Sequence, residues 1–129
     1  MPSFHAAPRR SPLLWLLFGF KGRISRSIYW PSMLALIALN FALYFQIVGM
    51  TEEELRGSLP FVTLLLALAA LYINLAVAVK RLHDVGYAGF LAVAVIIPFL
   101  NIAFSIWVGI LPGTAGPNTY GDAADVPPQ

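Results

Sequence analysis

The sequence predicts an all-α integral membrane protein with about three transmembrane segments, the third interrupted at Pro98. Three observations predict it. First, 59% of the 129 residues are hydrophobic and only 11% are charged, where soluble domains carry about 25% charge. A chain this small has much surface per unit volume and needs polar groups to stay in water. Second, the ionisable side chains are gathered into short clusters, which leaves residues 27–51, 57–79 and 85–121 without charge. Third, the first two of these intervals have the length of one crossing, since a hydrocarbon core of ~30 Å takes about 20 apolar residues in a helix. Backbone amides find no water partner there, so each crossing must be helical.

Taken in order, residues 1–14 read as a polar, basic tail, 15–122 as a membrane domain and 123–129 as a flexible end. Residues 2–12 are too polar to open a signal peptide. The apolar "LLWLLFGF" that follows ends at Lys21 with no small-residue cleavage site, so the N-terminus is expected to be retained. "LLWLLFGFKGRISR" is too short to span. Its apolar part, with Trp15, Phe18 and Phe20, followed by basic residues suggests an interfacial segment.

The first crossing is expected over residues 28–49, with Ser27 as N-cap, Pro31 in the first turn, and Tyr29 and Trp30 at the membrane–water boundary. The short acidic "TEEELRGS" makes the next helix an antiparallel neighbour. The second crossing is expected over residues 60–79, with Ser58 capping it and Pro60 in its first turn. "KRLHDVGYAG", residues 80–89, then reads as a polar hinge. Residues 87–111 are long enough for a third crossing, which Pro98 would kink. In the alternative the chain turns near Pro98 and comes back out, because each half is too short to cross. The kinked crossing is the expectation. Beyond it, "PGTAGPNTYGDAADVPPQ" reads as a turn and a flexible end.

Five of the eight Lys and Arg lie in residues 1–26, at Arg9, Arg10, Lys21, Arg23 and Arg26, and Lys80 and Arg81 follow the second crossing. Loops rich in Lys and Arg stay in the cytoplasm. The N-terminus is therefore expected inside and the acidic loop outside. The absence of cysteine excludes disulfides and thiolate metal sites.

The antiparallel pair brings "FKGRISRSIYW" (20–30) and "KRLHDVGYAG" to one membrane face. Asp84 is therefore expected to pair with Arg23 or Arg26 across the hairpin, as Arg–carboxylate pairs set register and geometry. His83 and Asp84 point about 100° apart on a helix, an unsuitable arrangement for an acid–base pair, and a metal would need more ligands. No H-E-x-x-H, G-x-S-x-G, P-loop or G-x-G-x-x-G is present. We therefore assign no catalytic residue, cofactor or metal. Asn40, Gln46, Asn74 and Asn101 are expected to hydrogen-bond between helices.

A GR-x-SR-x-x-YW entry, an RLHD-x-G element, a mid-segment proline and a terminal PG-x-x-G-x-N-x-YG, in that order, resemble domain of unknown function family 805. The likeness covers roughly residues 15–122, with Phe90 where the family often has Trp. It implies a small multi-pass protein of the bacterial inner (plasma) membrane and supplies no reaction. Gly22, Arg23, Arg26, Arg81, His83, Asp84, Asn118 and Tyr120 are the expected members of a polar belt, or of lipid headgroup contacts, on the cytoplasmic face. The function expected is that of a small interaction or lipid-associated protein. An oligomeric transporter or channel component is the alternative, and a membrane enzyme using Arg81, His83 and Asp84 a third. The expected partners are membrane lipids, anionic ones among them, and a second copy or another membrane protein. A nucleic acid is not expected.

Overall fold

The structure, a computed structural model, describes residues 11–128, and no strand forms among them. The elements are α1 (Pro12–Phe18), α2 (Arg26–Val48), α3 (Glu52–Arg56), α4 (Leu59–Val85), a 3₁₀ segment (Gly89–Ile96) and α5 (Leu100–Ile110). Most of the basic tail expected over residues 1–14, including Arg9 and Arg10, lies outside the described residues.

The interfacial segment is a short helix. Ser11 caps α1 through its hydroxyl, which accepts from the Leu14 amide at 3.1 Å, and Pro12 occupies the first turn. Residues 12–14 thus belong to α1 and not to a tail. Trp15 is buried and donates through Nε1 to the Lys21 carbonyl at 2.8 Å, while Leu13, Leu14 and Phe18 are exposed. Tyr72 of α4 donates to the Phe18 carbonyl at 3.0 Å, which lays α1 along α4.

The first crossing starts two residues earlier than expected. The Ser25 carbonyl accepts from Ile28 and Tyr29, so Ser25 rather than Ser27 is the capping residue, and Pro31 falls in the second turn. Tyr29 is fully buried instead of lying at the water boundary, and its hydroxyl donates to the Ser105 carbonyl at 3.0 Å. The second helix runs further than expected. Lys80, Arg81, His83 and Asp84 occupy its last turns, and the break falls at Gly86, whose φ of +92° suits a residue without a side chain. At 1.5 Å per residue its 27 residues span about 40 Å, more than the hydrocarbon thickness.

Residues 87–111 differ most from expectation. They form two short pieces in place of one kinked helix. A β-carbon on Gly89, at the start, would meet Val79 at 2.8 Å and His83 at 2.9 Å. At the other end, the Val108 and Leu111 carbonyls accept from Arg81. Both ends therefore pack on the last turns of α4, and between them the chain reaches only as far as Ala70 and Leu71, which share a cavity wall with Val95 and Asn101. Pro98 has no amide to donate and forces Ile97 into an extended conformation, φ −87° and ψ 118°. Phe99 then turns the chain at φ +64°. Eleven residues of α5 give about 16 Å, too little for a crossing. Among the described residues two helices, α2 and α4, are long and apolar enough to cross a membrane, and the expected count of three is not confirmed.

α4 holds both halves of the core. One face meets α1 and α2 through Trp15, Ile24, Tyr29, Met33, Leu36, Ala70 and Val77. The other meets the returning segment through Ala78, Leu82, Ala92, Val95, Phe104 and Val108. The outer surfaces of α2 and α4 expose large apolar side chains, among them Phe41, Phe45, Phe61, Leu64 and Leu68, which water would not tolerate over so wide an area.

Candidate functional site: a buried arginine–aspartate cluster

Two loops and a helix end converge where α4 stops. Gly22, at φ +94°, lies against the Trp15 ring and turns the chain between α1 and α2 so that Arg23 points inward. Arg81 and Asp84, three residues apart, share a face of the last turn of α4. The loop after α5 closes over them, its Thr114 amide donating to the Asp84 carbonyl at 2.7 Å.

Arg23 is 1% exposed, and each of its N–H groups is engaged. Nε and Nη2 donate to Asp84 Oδ1 at 3.1 and 3.0 Å, Nη2 also to the Thr114 carbonyl at 2.7 Å, and Nη1 to the carbonyls of Gly116 and Gly121 at 2.7 and 3.0 Å. Arg81, with no exposed surface, donates from Nη1 to Asp84 Oδ2 at 2.6 Å and to the Ile24 carbonyl at 3.3 Å. Its remaining donors go to Val108 and Leu111. These carbonyls close α5, the negative end of its dipole, where a cation is favoured. Asp84 therefore bridges two guanidiniums. A β-carbon on Gly113 would come within 2.2 Å of its Oδ2, so only glycine allows the loop to lie this close.

Lys80 is the third buried cation. Its ammonium donates to the Gly19 and Ala76 carbonyls and lies 5.7 Å from the centre of the Trp15 ring. Among the described residues Asp84 is the one buried carboxylate beside these three cations. The positive excess is met by carbonyl dipoles from every neighbouring loop, which is how burial of such charges becomes tolerable.

A second layer covers the cluster. His83 Nδ1 lies 3.1 Å from the Gly22 carbonyl, which can only accept, so this nitrogen carries the proton. Its ring stacks on Tyr120 at 4.0 Å and 5°. Asn118 donates to the His83 carbonyl at 2.8 Å and accepts from the Tyr120 amide at 2.8 Å. Asp125 accepts from the Ser25 amide and donates its own amide to the Arg23 carbonyl, so the chain beyond residue 122, expected to be flexible, is held at this point.

Of the residues singled out from sequence, the structure brings together Gly22, Arg23, Arg81, His83, Asp84, Asn118 and Tyr120. Arg26 is exposed, as is Lys21, and no hydrogen bond or ion pair joins the Arg26 side chain to the cluster among the described residues. Sequence reasoning missed Gly113, Thr114, Gly116 and Asp125. Most of these act through backbone atoms, which carry no residue signature, and the only hint was the crowding of small residues in "PGTAG". Both Asp84 oxygens are held by guanidiniums, Oδ1 by two donors and Oδ2 by one, so most of the acceptor capacity of the carboxylate is used within the chain. Among the described residues no three His, Cys, Asp or Glu converge on a point.

The chain is similar to known proteins over most of its length. The model of the family described as "Protein of unknown function (DUF805)" matches residues 17–122. Two relatives, both described as "Inner membrane protein YhaI", come from Escherichia coli strain K12 and Escherichia coli O157:H7. Each is 34% identical over 104 residues, which covers 81% of this chain and 84% of the relative. No solved structure matches.

Proposed function

The chain belongs to the DUF805 family, whose function is unknown, and on that premise we propose that it is a small lipid-associated protein of the bacterial inner membrane. In this reading α2 and α4 cross the bilayer, and residues 87–111 enter and leave by the cytoplasmic face. The Arg23–Asp84–Arg81 cluster is a lock that holds the entry loop, the end of α4 and the loop after α5 in one piece. Lys21 and Arg26 then meet anionic headgroups, each contributing about 1 kcal/mol near such a surface. The observation that carries the proposal is the division of labour among the cations. Arg23 and Arg81 are committed to the chain itself, while Lys21, which follows the exposed Phe20, and Arg26, at the start of α2, are both exposed.

Native mass spectrometry of the purified protein, titrated with phosphatidylglycerol and phosphatidylcholine, tests it. The wild type should retain the anionic lipid in preference to the neutral one, and a Lys21→Gln, Arg26→Gln double variant should lose that preference. Equal retention of the two lipids by the wild type would remove headgroup recognition from the reading. A transporter or channel component has less support, because the apolar bodies of the two helices, residues 27–48 and 59–79, carry no Lys, Arg, His, Asp or Glu of the kind that ion paths use. An enzyme built on Arg81, His83 and Asp84 has less still, because Arg81 and Asp84 are engaged with partners within the chain.

A further inference from the structure

A cavity of about 700 Å³ opens between α2, α4 and the returning pair, within the range of about 300–1,000 Å³ common to ligand pockets. It exists because the returning segment reaches only to the middle of α4 and leaves the space beyond its tip unfilled. Its walls are mostly apolar; the lining residues with polar side-chain groups are Asn40, Asn74, Asn101, Ser105, Tyr44 and Trp30, and none of the lining residues carries a charge. Asn40 donates to its own helix, at the Leu36 carbonyl, 2.8 Å away, which leaves its side-chain oxygen for another donor. Asn74 Oδ1 is buried and has no hydrogen-bond partner among the described residues. Asn74 lies near the middle of α4, at a depth where hydrocarbon supplies no donor. An unpaired acceptor there is costly and calls for a partner. The terminal torsion of asparagine is broad, so a small turn of the amide presents this oxygen to the cavity.

We propose that the cavity binds an uncharged, hydroxyl-bearing lipid with a single long chain, its hydroxyl on Asn74 and its chain along the apolar wall formed by Leu36, Ile37 and Phe41. A hydroxyl both donates and accepts, so it complements an amide in either orientation. A charged headgroup would be buried without a counter-charge and is excluded on that ground. Water alone would leave most of an apolar cavity unfilled. The inference rests on the two-crossing placement of α2 and α4 and is independent of headgroup contact by Lys21 and Arg26.

Two photoactivatable probes of equal length test it in phosphatidylcholine vesicles holding the full chain: hexadecanol with a mid-chain diazirine, and hexadecane with the same diazirine. The alcohol should label peptides containing Asn74 and Asn101 roughly five- to tenfold more than the hydrocarbon, the ratio expected of one net hydrogen bond. Both probes should label the outward Phe61 and Leu68 alike. Asn74→Leu should bring cavity labelling by the alcohol down to the hydrocarbon level. Ile102→Trp, a change at an exposed rim residue that does not depend on the core repacking, should lower cavity labelling by both probes. Equal cavity labelling by the two probes overturns the proposal. So does an unlabelled cavity, including one covered by a second copy and seen as a cross-linked dimer. Absence of label at Phe61 and Leu68 would remove the two-crossing placement and this inference with it, a result distinct from failure at the cavity alone.

Discussion

At the scale of single residues, Asp84 decides whether two buried guanidiniums have a counter-charge. Removing one partner of a buried ionic group leaves the other charges uncompensated, at a cost of about 3–5 kcal/mol. Asp84→Asn keeps the shape and removes the charge, so it should lower the thermal unfolding temperature in detergent markedly; unchanged melting would show the lock to be dispensable. Arg23→Lys is the sharper substitution. Lysine keeps the charge but cannot reach Asp84 and the carbonyls of Thr114, Gly116 and Gly121 together, because only the guanidinium fork has donors in those directions. Its melting should therefore fall most of the way to that of Arg23→Ala, and recovery to wild-type melting would show that charge alone suffices. The Arg–Asp pairing was legible in the sequence, because an antiparallel hairpin puts "GRISR" beside "RLHD". Which arginine forms the pair was not. Arg23 is selected over Arg26 by the left-handed Gly22, which turns residue 23 inward, and a φ angle is not visible in a residue string.

At the scale of elements, α4 shows what hydropathy reads well and what it does not. Its apolar body was plain, but the charged residues at its end looked like a loop. They are helical because each buried charge there has a partner, and because Gly86 supplies a stop beyond them. Gly86→Ala would force a side chain into φ +92°, a change that destabilises by about 1 kcal/mol or more. The readout is increased amide exchange over Leu82–Tyr87 with little change in the middle of α4; uniform loosening of the whole helix would contradict this local role. The acidic turn offers a pH test. Thr51 and Glu54 form a capping box, and the Thr51 amide and hydroxyl hold the Glu54 carboxyl below its ordinary pKa. A folded-state pKa lowered in this way contributes stability above the ordinary carboxylate range, and that contribution is lost as pH falls through the lowered value. Amide protection at Glu54 should therefore be constant at neutral pH and decline in acid, and Glu54→Gln should flatten that decline. The third segment was the least legible element. Apolar length permits a crossing over residues 87–111. In the structure the segment turns back at Pro98 and is held by Arg81, which takes the carbonyls at the end of α5 and so draws that end back to where the segment began.

At the scale of the whole molecule, the cluster ties the loop after α5 to the start of α2 and the end of α4. Arg23 precedes α2 and Asp84 closes α4, so both belong to the open end of the hairpin. The same guanidinium that holds Asp84 holds Thr114, Gly116 and Gly121, which follow α5. A chain that crossed a third time would place those carbonyls a bilayer thickness, ~30 Å, from Arg23. The contact and a third crossing are therefore mutually exclusive, and in the proposed placement the excess of Lys and Arg before α2 and at the end of α4 puts the shared side in the cytoplasm. The sequence contains no cysteine, so single cysteines can report on each side without a background. Glu53→Cys in α3 should react with a membrane-impermeant maleimide on intact spheroplasts. Ala123→Cys, at an exposed position after α5, should react only after permeabilisation. Inverted vesicles should reverse the pattern. Reaction of both on intact spheroplasts would mean that residues 87–111 cross after all; the Arg23 contacts to the last loop could then not form in the membrane, and Arg23→Lys should leave melting nearly unchanged. The two experiments are thus bound to agree, since one measures the side of the loop and the other the energy of the bonds that keep it there.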